Sequence, residues 1–158
     1  FLDQNNYKVT FALFDSEELG ILGSRAYVQA HSVSNVQYMI NFDCTSGYDQ
    51  DVSMVAWVTD NKLSSATDEC GSKFALPIEK TFTNPCGYSC SDYAPFAAQG
   101  VTTAFPVDKA ASGELCAGGS PSVGGVLHSS ADTLSVVDQD KLVWGPKYGA
   151  CVLRKLLP

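Results

Sequence analysis

Apolar positions along this chain fall into short runs and periodic stretches. Val9-Thr-Phe-Ala-Leu-Phe14 is an apolar run of strand length, and across residues 20–31 the positions Ile21, Leu22, Ala26, Tyr27 and Ala30 recur at helical spacing. The pair predicts a strand, a turn and a helix. Tyr38-Met-Ile-Asn-Phe-Asp43 reads as a second buried strand, ended by Thr45, Ser46 and Gly47, and residues 54–59 as a third. A helix is predicted over residues 61–74, and a short one over 91–99, where Pro95 is tolerated near the first turn. Residues 102–107 form a fourth predicted strand and 138–157 a closing amphipathic helix. Between them, residues 108–126 are rich in Gly, Ser and Ala, too long for a simple connection, and read as a loop bordering a site.

Strands alternating with helices predict an α/β sandwich with a largely parallel sheet, in one domain over residues 1–158. Ligands in such folds bind at the carboxyl ends of the strands. Glu17 and Glu18 fall there after the first predicted strand, and Asp43 at the end of the second.

Composition narrows the function classes. With 10 Lys plus Arg against 17 Asp plus Glu, the formal charge of −7 argues against nucleic acid or an anionic membrane as partner. No apolar run approaches the roughly 20 residues of a membrane span. Phe1-Leu2-Asp3 lacks the pattern of a signal peptide, so the chain reads as soluble. A first residue other than Met suggests a processed or cut product, or a sequence that begins inside the gene product. Six cysteines favour an oxidising compartment. Cys86 and Cys90 can bridge across a small loop, a reading preferred over a zinc finger because no second Cys or His pair stands at finger distance. Further pairings are expected between Cys70 and Cys151 and between Cys44 and Cys116.

The candidate chemistry begins with Asp15-Ser-Glu-Glu-Leu-Gly20. Read locally, Ser16 caps a helix whose first turn carries two glutamates that complement its dipole. Read as a site, two adjacent carboxylates in a turn at a cleft repel unless a cation or proton lies between them, so one can bind metal while the other handles a proton. Asp43 ends an apolar strand, where a charge must be paired, metal-bound or well hydrogen-bonded. His128 follows the Gly-rich loop, whereas His31, near a helix end, is given no function. Two carboxylates and an imidazole suit zinc, cobalt or manganese, with Glu17 free as base.

Four separated motifs, Phe14-Asp-Ser-Glu-Glu-Leu-Gly-Ile-Leu-Gly-Ser24, Asn41-Phe-Asp43, Cys86-Gly-Tyr-Ser-Cys-Ser-Asp92 and His128-Ser-Ser-Ala-Asp-Thr-Leu134, span nearly the whole chain. In order and spacing they resemble the secreted bacterial and fungal leucyl aminopeptidases of the co-catalytic zinc peptidase family. The resemblance implies a three-layer sandwich of the zinc-peptidase and phosphorylase-like kind, of which this chain is the C-terminal portion. It implies two zinc ions, with Glu17 as general base, Glu18 and His128 as ligands of one ion and Asp43 of the other. Tyr88 matches a pocket tyrosine that can reach the oxyanion, and Cys86 with Cys90 a disulfide of those enzymes. Cys44, Tyr88, Phe105, Val107 and Leu127 would then build an apolar pocket for a large N-terminal residue such as Leu.

Two departures stand out: Tyr93 occupies a position where many secreted relatives have His, and the loop over residues 108–126 is long. The family also uses a His and a metal-bridging Asp from upstream of the Glu-Glu motif, with no counterpart here. An N-terminal segment or chain of the same enzyme is therefore the expected partner, beside a peptide substrate. Rival readings are a single-zinc cyclase acting on N-terminal glutamine, and a non-catalytic binding homologue. The disulfide motif around Tyr88 speaks against the first, and the joint presence of Glu17, Glu18, Asp43 and His128 against the second.

Overall fold

Residues 8–45, 48, 51–84, 90–111, 113, 115 and 126–157 are described by a computed structural model of the chain. Its framework is a four-stranded mixed sheet in the order β1-β4-β2-β3, formed by β1 (Tyr38–Ile40), β2 (Asp51–Val58), β3 (Ile78–Thr81) and β4 (Thr102–Ala110). β1 pairs with β4 and β2 with β3 in parallel, while β2 and β4 are antiparallel, with Val55 opposite Val107 and Trp57 opposite Phe105.

Alternation along β2 divides the core into two layers, because successive side chains of a strand point to opposite faces. Ala56 and Val58 pack with Leu63, Ala66 and Cys70 of α2 (Asn61–Phe74) and with Tyr148, Val152 and Leu156 of α4 (Trp144–Leu156). Val55 and Trp57 pack on the other face with Phe105, Val107, Ile21, and Tyr93 and Ala94 of α3 (Tyr93–Ala98). α1 (Leu22–Ala30) lies on that second side, where Tyr27 and Val28 join Phe14, Val33 and Phe96 in a smaller cluster. Helices thus flank both faces of the sheet.

α2 covers the span its periodicity predicts, and Asp60 starts it by accepting a hydrogen bond from the Leu63 amide at 2.7 Å. The expected Cys70–Cys151 disulfide ties α2 to α4. Beside it the hydroxyls of Thr67 and Tyr148 meet at 3.0 Å in the core. Cys90 is disulfide-bonded as well, while Cys86 and Cys116 lie outside the described residues. No helix among the described residues is long and apolar enough to cross a membrane.

Several expectations need correction. Residues 9–14 join no described strand, and Phe11 and Leu13 stand 88% and 102% exposed. An apolar run becomes a strand only beside a chain that takes up its backbone groups. β3 was not foreseen, and β4 runs on to Ala110, into the stretch read as loop. α4 begins at Trp144 rather than at residue 138, because the Asp138 carboxylate accepts from the amides of Asp140 and Lys141 and holds a turn there.

Candidate metal and proton-transfer site

Glu17 and Glu18 do not sit in the first turn of a helix. Ser16 and Ile21 adopt left-handed backbone with φ of 55° and 54°, and Gly20 has φ of 103°, so the chain loops around the two glutamates before α1 begins at Leu22. Ser16 therefore caps nothing. The loop is closed by the amides of Ile21 and Leu22 on the carbonyls of Glu17 and Ser16, at 2.7 and 3.1 Å. Gly23 completes it: a Cβ there would stand 2.5 Å from the Asp15 carbonyl oxygen and 2.9 Å from its nitrogen.

This loop brings Glu18 to His128. Nε2 of His128 lies 2.6 Å from Oε1 of Glu18, across 110 residues of sequence, and the two side chains are 58% and 69% exposed. His128 itself has φ of 61°, and Cys44, the residue after Asp43, has φ of 50°. Four of the five described non-glycine residues with positive φ thus flank or belong to the predicted site. Such backbone costs on the order of 1–3 kcal/mol per residue and persists where the surroundings over-determine it, as functional sites commonly do.

Asp43 follows β1 and is held by a relay absent from the sequence reading. Ser91 donates its hydroxyl to Asp43 Oδ2 at 2.6 Å, and Asn41 Nδ2 donates to the same Ser91 oxygen at 2.7 Å. Asn41 and Ser91 are buried, so the carboxylate cannot rotate freely. Asp92, next in sequence, has Oδ1 buried without a hydrogen-bond partner. Burial raises its carboxyl above the usual range and the Asp43 charge adds to this, while a hydrogen bond from Ser24 opposes both. Both residues stand in the Cys-Ser-Asp motif quoted above, so the signal was present in the string without its role.

Glu17 is half-buried, and that burial, followed by the charges of Asp43, Glu18 and Asp92, pushes its carboxyl up to about 7, with His128 opposing. A carboxyl poised there can exchange a proton near neutral pH. The remaining predicted residues are less uniform. Cys44 is half-buried at the edge of the second core layer, and Leu127 is half-buried beside His128. Phe105 and Val107 are 2% and 1% exposed, closed over by Trp57, Tyr93 and Ala94, so they underlie the site rather than present an open face. Tyr88 and Cys86 lie outside the described residues.

One imidazole nitrogen and one carboxylate oxygen meeting at an exposed point form a donor pair of the kind zinc takes, and Asp43 offers a third, separately held carboxylate. Among the described residues no three His, Cys, Asp or Glu side chains converge to hold an ion together. The residues present fit no more than part of a metal site: Glu18 and His128 meet, and Asp43 is held separately.

A hollow of about 630 Å³ lies between residues 10–15 and the Gly23, Ala26, Tyr27, Ala30 and His31 side of α1, and neither Glu18 nor His128 lines it.

The sequence profile of peptidase family M28 matches residues 2–143. A probable leucine aminopeptidase of Arthroderma otae is 32% identical over 143 residues, which cover 85% of this chain and 35% of that protein. In fold, the chain superposes on a zinc aminopeptidase from Bacillus subtilis with a TM-score of 0.73 at 18% identity, over 91% of this chain and 34% of the other. A glutaminyl cyclase from an Acidobacteriales bacterium aligns less well, with a TM-score of 0.58 at 15% identity, over 87% of this chain and 46% of that one. The chain spans about a third of the length of the aminopeptidases it matches.

Proposed function

Because this chain belongs to peptidase family M28, we propose that it serves a zinc-dependent aminopeptidase that removes hydrophobic, leucine-like residues from the N-termini of peptides. The observation that carries the reading is Glu17, a carboxyl raised to about 7, standing among Asp43, Glu18 and His128. A base without ligands, or ligands without a base, would not suit hydrolysis. Here Glu17 stands beside Glu18 in one loop, with Asp43 and His128 brought to it from other segments.

Glu18 and His128 would hold one zinc ion and Asp43, oriented by Ser91, the other. Zinc bound there supplies Lewis acidity toward a peptide carbonyl and toward water. Glu17 takes a proton from the attacking water, holds it on its carboxyl group and delivers it to the departing amine, so the base is restored each cycle. From the resemblance, Tyr88 is assigned as donor to the oxyanion and Cys44, Leu127 and Tyr88 as pocket walls, with Phe105 and Val107 behind them.

A His and a bridging Asp would come from an N-terminal segment or chain of the same enzyme. Support comes from Phe11 and Leu13, fully or nearly fully exposed on a run that joins no described strand and lines the 630 Å³ hollow. Large apolar side chains gathered at a hollow in this way are normally covered. Two disulfide-bonded cysteine sites, at Cys70–Cys151 and Cys90, support a secreted protein.

The test is hydrolysis of leucine p-nitroanilide and cyclisation of an N-terminal glutamine peptide by the intact protein, before and after chelation and on zinc return. Zinc-restored hydrolysis with no cyclisation is expected. Cyclisation alone would favour the single-zinc alternative, and zinc-independent silence on both the binding homologue.

A further inference from the structure

Asn84 and Cys90 stand immediately before and after residues 85–89, and the structure brings both to a single atom. The hydroxyl of Tyr93 accepts from Nδ2 of Asn84 at 2.8 Å and faces its Oδ1 at 3.0 Å. The same hydroxyl lies 3.2 Å from Sγ of Cys90 and is approached by the Cys90 backbone amide. Its ring is held on both sides. Tyr93 is 1% exposed, and its ring is packed between Trp57 of β2 and Phe105 of β4 at centroid distances of 5.0 and 4.9 Å. A phenol fixed in this way by two strands is a rigid peg to which both flanks of residues 85–89 are tied.

A core aromatic needs no hydroxyl to fill its volume, and burying one costs free energy unless it is hydrogen-bonded. Phenylalanine would pack the same cluster without that requirement. What the hydroxyl adds is the separation of Asn84 from Cys90, the two residues that bracket Tyr88 in sequence. We propose that Tyr93 is a positioning residue whose buried hydroxyl sets the spacing of Asn84 and Cys90 and so acts on the turnover step without touching substrate. This rests on the aminopeptidase reading, in which Tyr88 serves the oxyanion.

The experiment compares Tyr93→Phe, Asn84→Ala and the double variant in the intact protein, measuring kcat and KM on leucine p-nitroanilide, zinc content, and the rate at which limiting reductant opens the disulfide at Cys90. Tyr93→Phe should lower kcat on the order of 10-fold, the scale expected for a small misplacement of catalytic geometry, with KM and zinc content within about twofold. Asn84→Ala should do the same, and the double variant should be little worse than either single one, since both break the same tie. Should Tyr93→Phe fail to fold, Asn84→Ala, at a half-buried loop position, carries the test alone. An unchanged kcat, or equal losses in kcat and zinc content, would overturn the proposal. If the parent protein hydrolyses no peptide, the aminopeptidase reading has failed, and reductant access decides the tie: faster opening in Tyr93→Phe sustains it and an unchanged rate ends it.

Discussion

The hydroxyl of Tyr48 donates to Oδ1 of Asp132 at 3.1 Å, fastening the loop that carries His128 to the approach of β2, 84 residues earlier. Tyr48 is itself fixed, since its amide donates to Asp51 Oδ2 at 2.9 Å and its carbonyl accepts from Lys141 Nζ at 3.3 Å. His128, with left-handed backbone, stands four residues before Asp132, so the tie bears on the segment that presents its ring. Tyr48→Phe should therefore leave the fold intact and weaken zinc binding about 10-fold, the lower end of what loss of a group supporting a ligand costs. Competition with a chelator reads this directly, and an unchanged zinc affinity would contradict it.

Glu17 and His128 are predicted to fail in different ways. Glu17→Gln should keep zinc content near normal and slow turnover by a factor on the order of 10² to 10⁴, the range for losing a general base. His128→Ala should instead lower zinc content, because it deletes a donor. Metal analysis beside kcat separates the two, and zinc loss in Glu17→Gln would refute the assignment.

At Gly23 the backbone leaves no room. A methyl group there would press on the Asp15 carbonyl oxygen at 2.5 Å, and that atom belongs to the main chain entering the Glu17 loop. Overpacking of this kind costs about 1–3 kcal/mol. Gly23→Ala should lower the melting temperature and reduce activity together, whereas Gly113→Ala, with nothing within 4 Å of the new methyl, should disturb only its own loop. Thermal unfolding and rate assays on both variants make the comparison.

Tyr148 predicts an alkaline limit to stability. Complete burial pushes its phenol from 10.0 up to about 12, against the opposing hydrogen bond with Thr67. Between those values the folded protein keeps a proton that the unfolded chain has lost, so stability is full below pH 10 and declines as pH rises toward 12. At about 1.4 kcal/mol per unit, the loss attributable to this group is ~2–3 kcal/mol. In Tyr148→Phe the decline over that window should flatten, as denaturant unfolding at stepped pH would reveal. An equally steep decline would show that other groups cause it.

What could be read from the string depended on how local the cause was. α2 was legible because its periodicity and the Asp60 cap are contained within the helix. β3 was not, since Ile78-Glu-Lys-Thr81 owes its strand form to β2 alongside, and half of it is polar. Residues 9–14 showed the reverse, an intrinsic preference for strand with no described neighbour to complete it. In the site, the Glu18 contact with His128 followed from recognising motifs. The Asn41, Ser91 and Asp43 relay and the tie from Tyr48 to Asp132 join residues 48, 50 and 84 positions apart, and ordinary polar residues carry no mark of such pairings.

The distance in sequence between Glu18 and His128 has a kinetic side. A contact spanning 110 residues closes a large loop, and its entropy cost must be met before the contact returns anything. Topologies dominated by such pairings fold slowly. The donor pair should accordingly be among the last features to assemble, after α2 and the β2 and β4 pairing are in place. Zinc added at the start of refolding would then find no partner for Glu18 until the chain is nearly native, so the ion would act as a lock on the finished fold rather than as a nucleus for it. Refolding rates independent of zinc, alongside unfolding rates that fall as zinc rises, are the signature to expect.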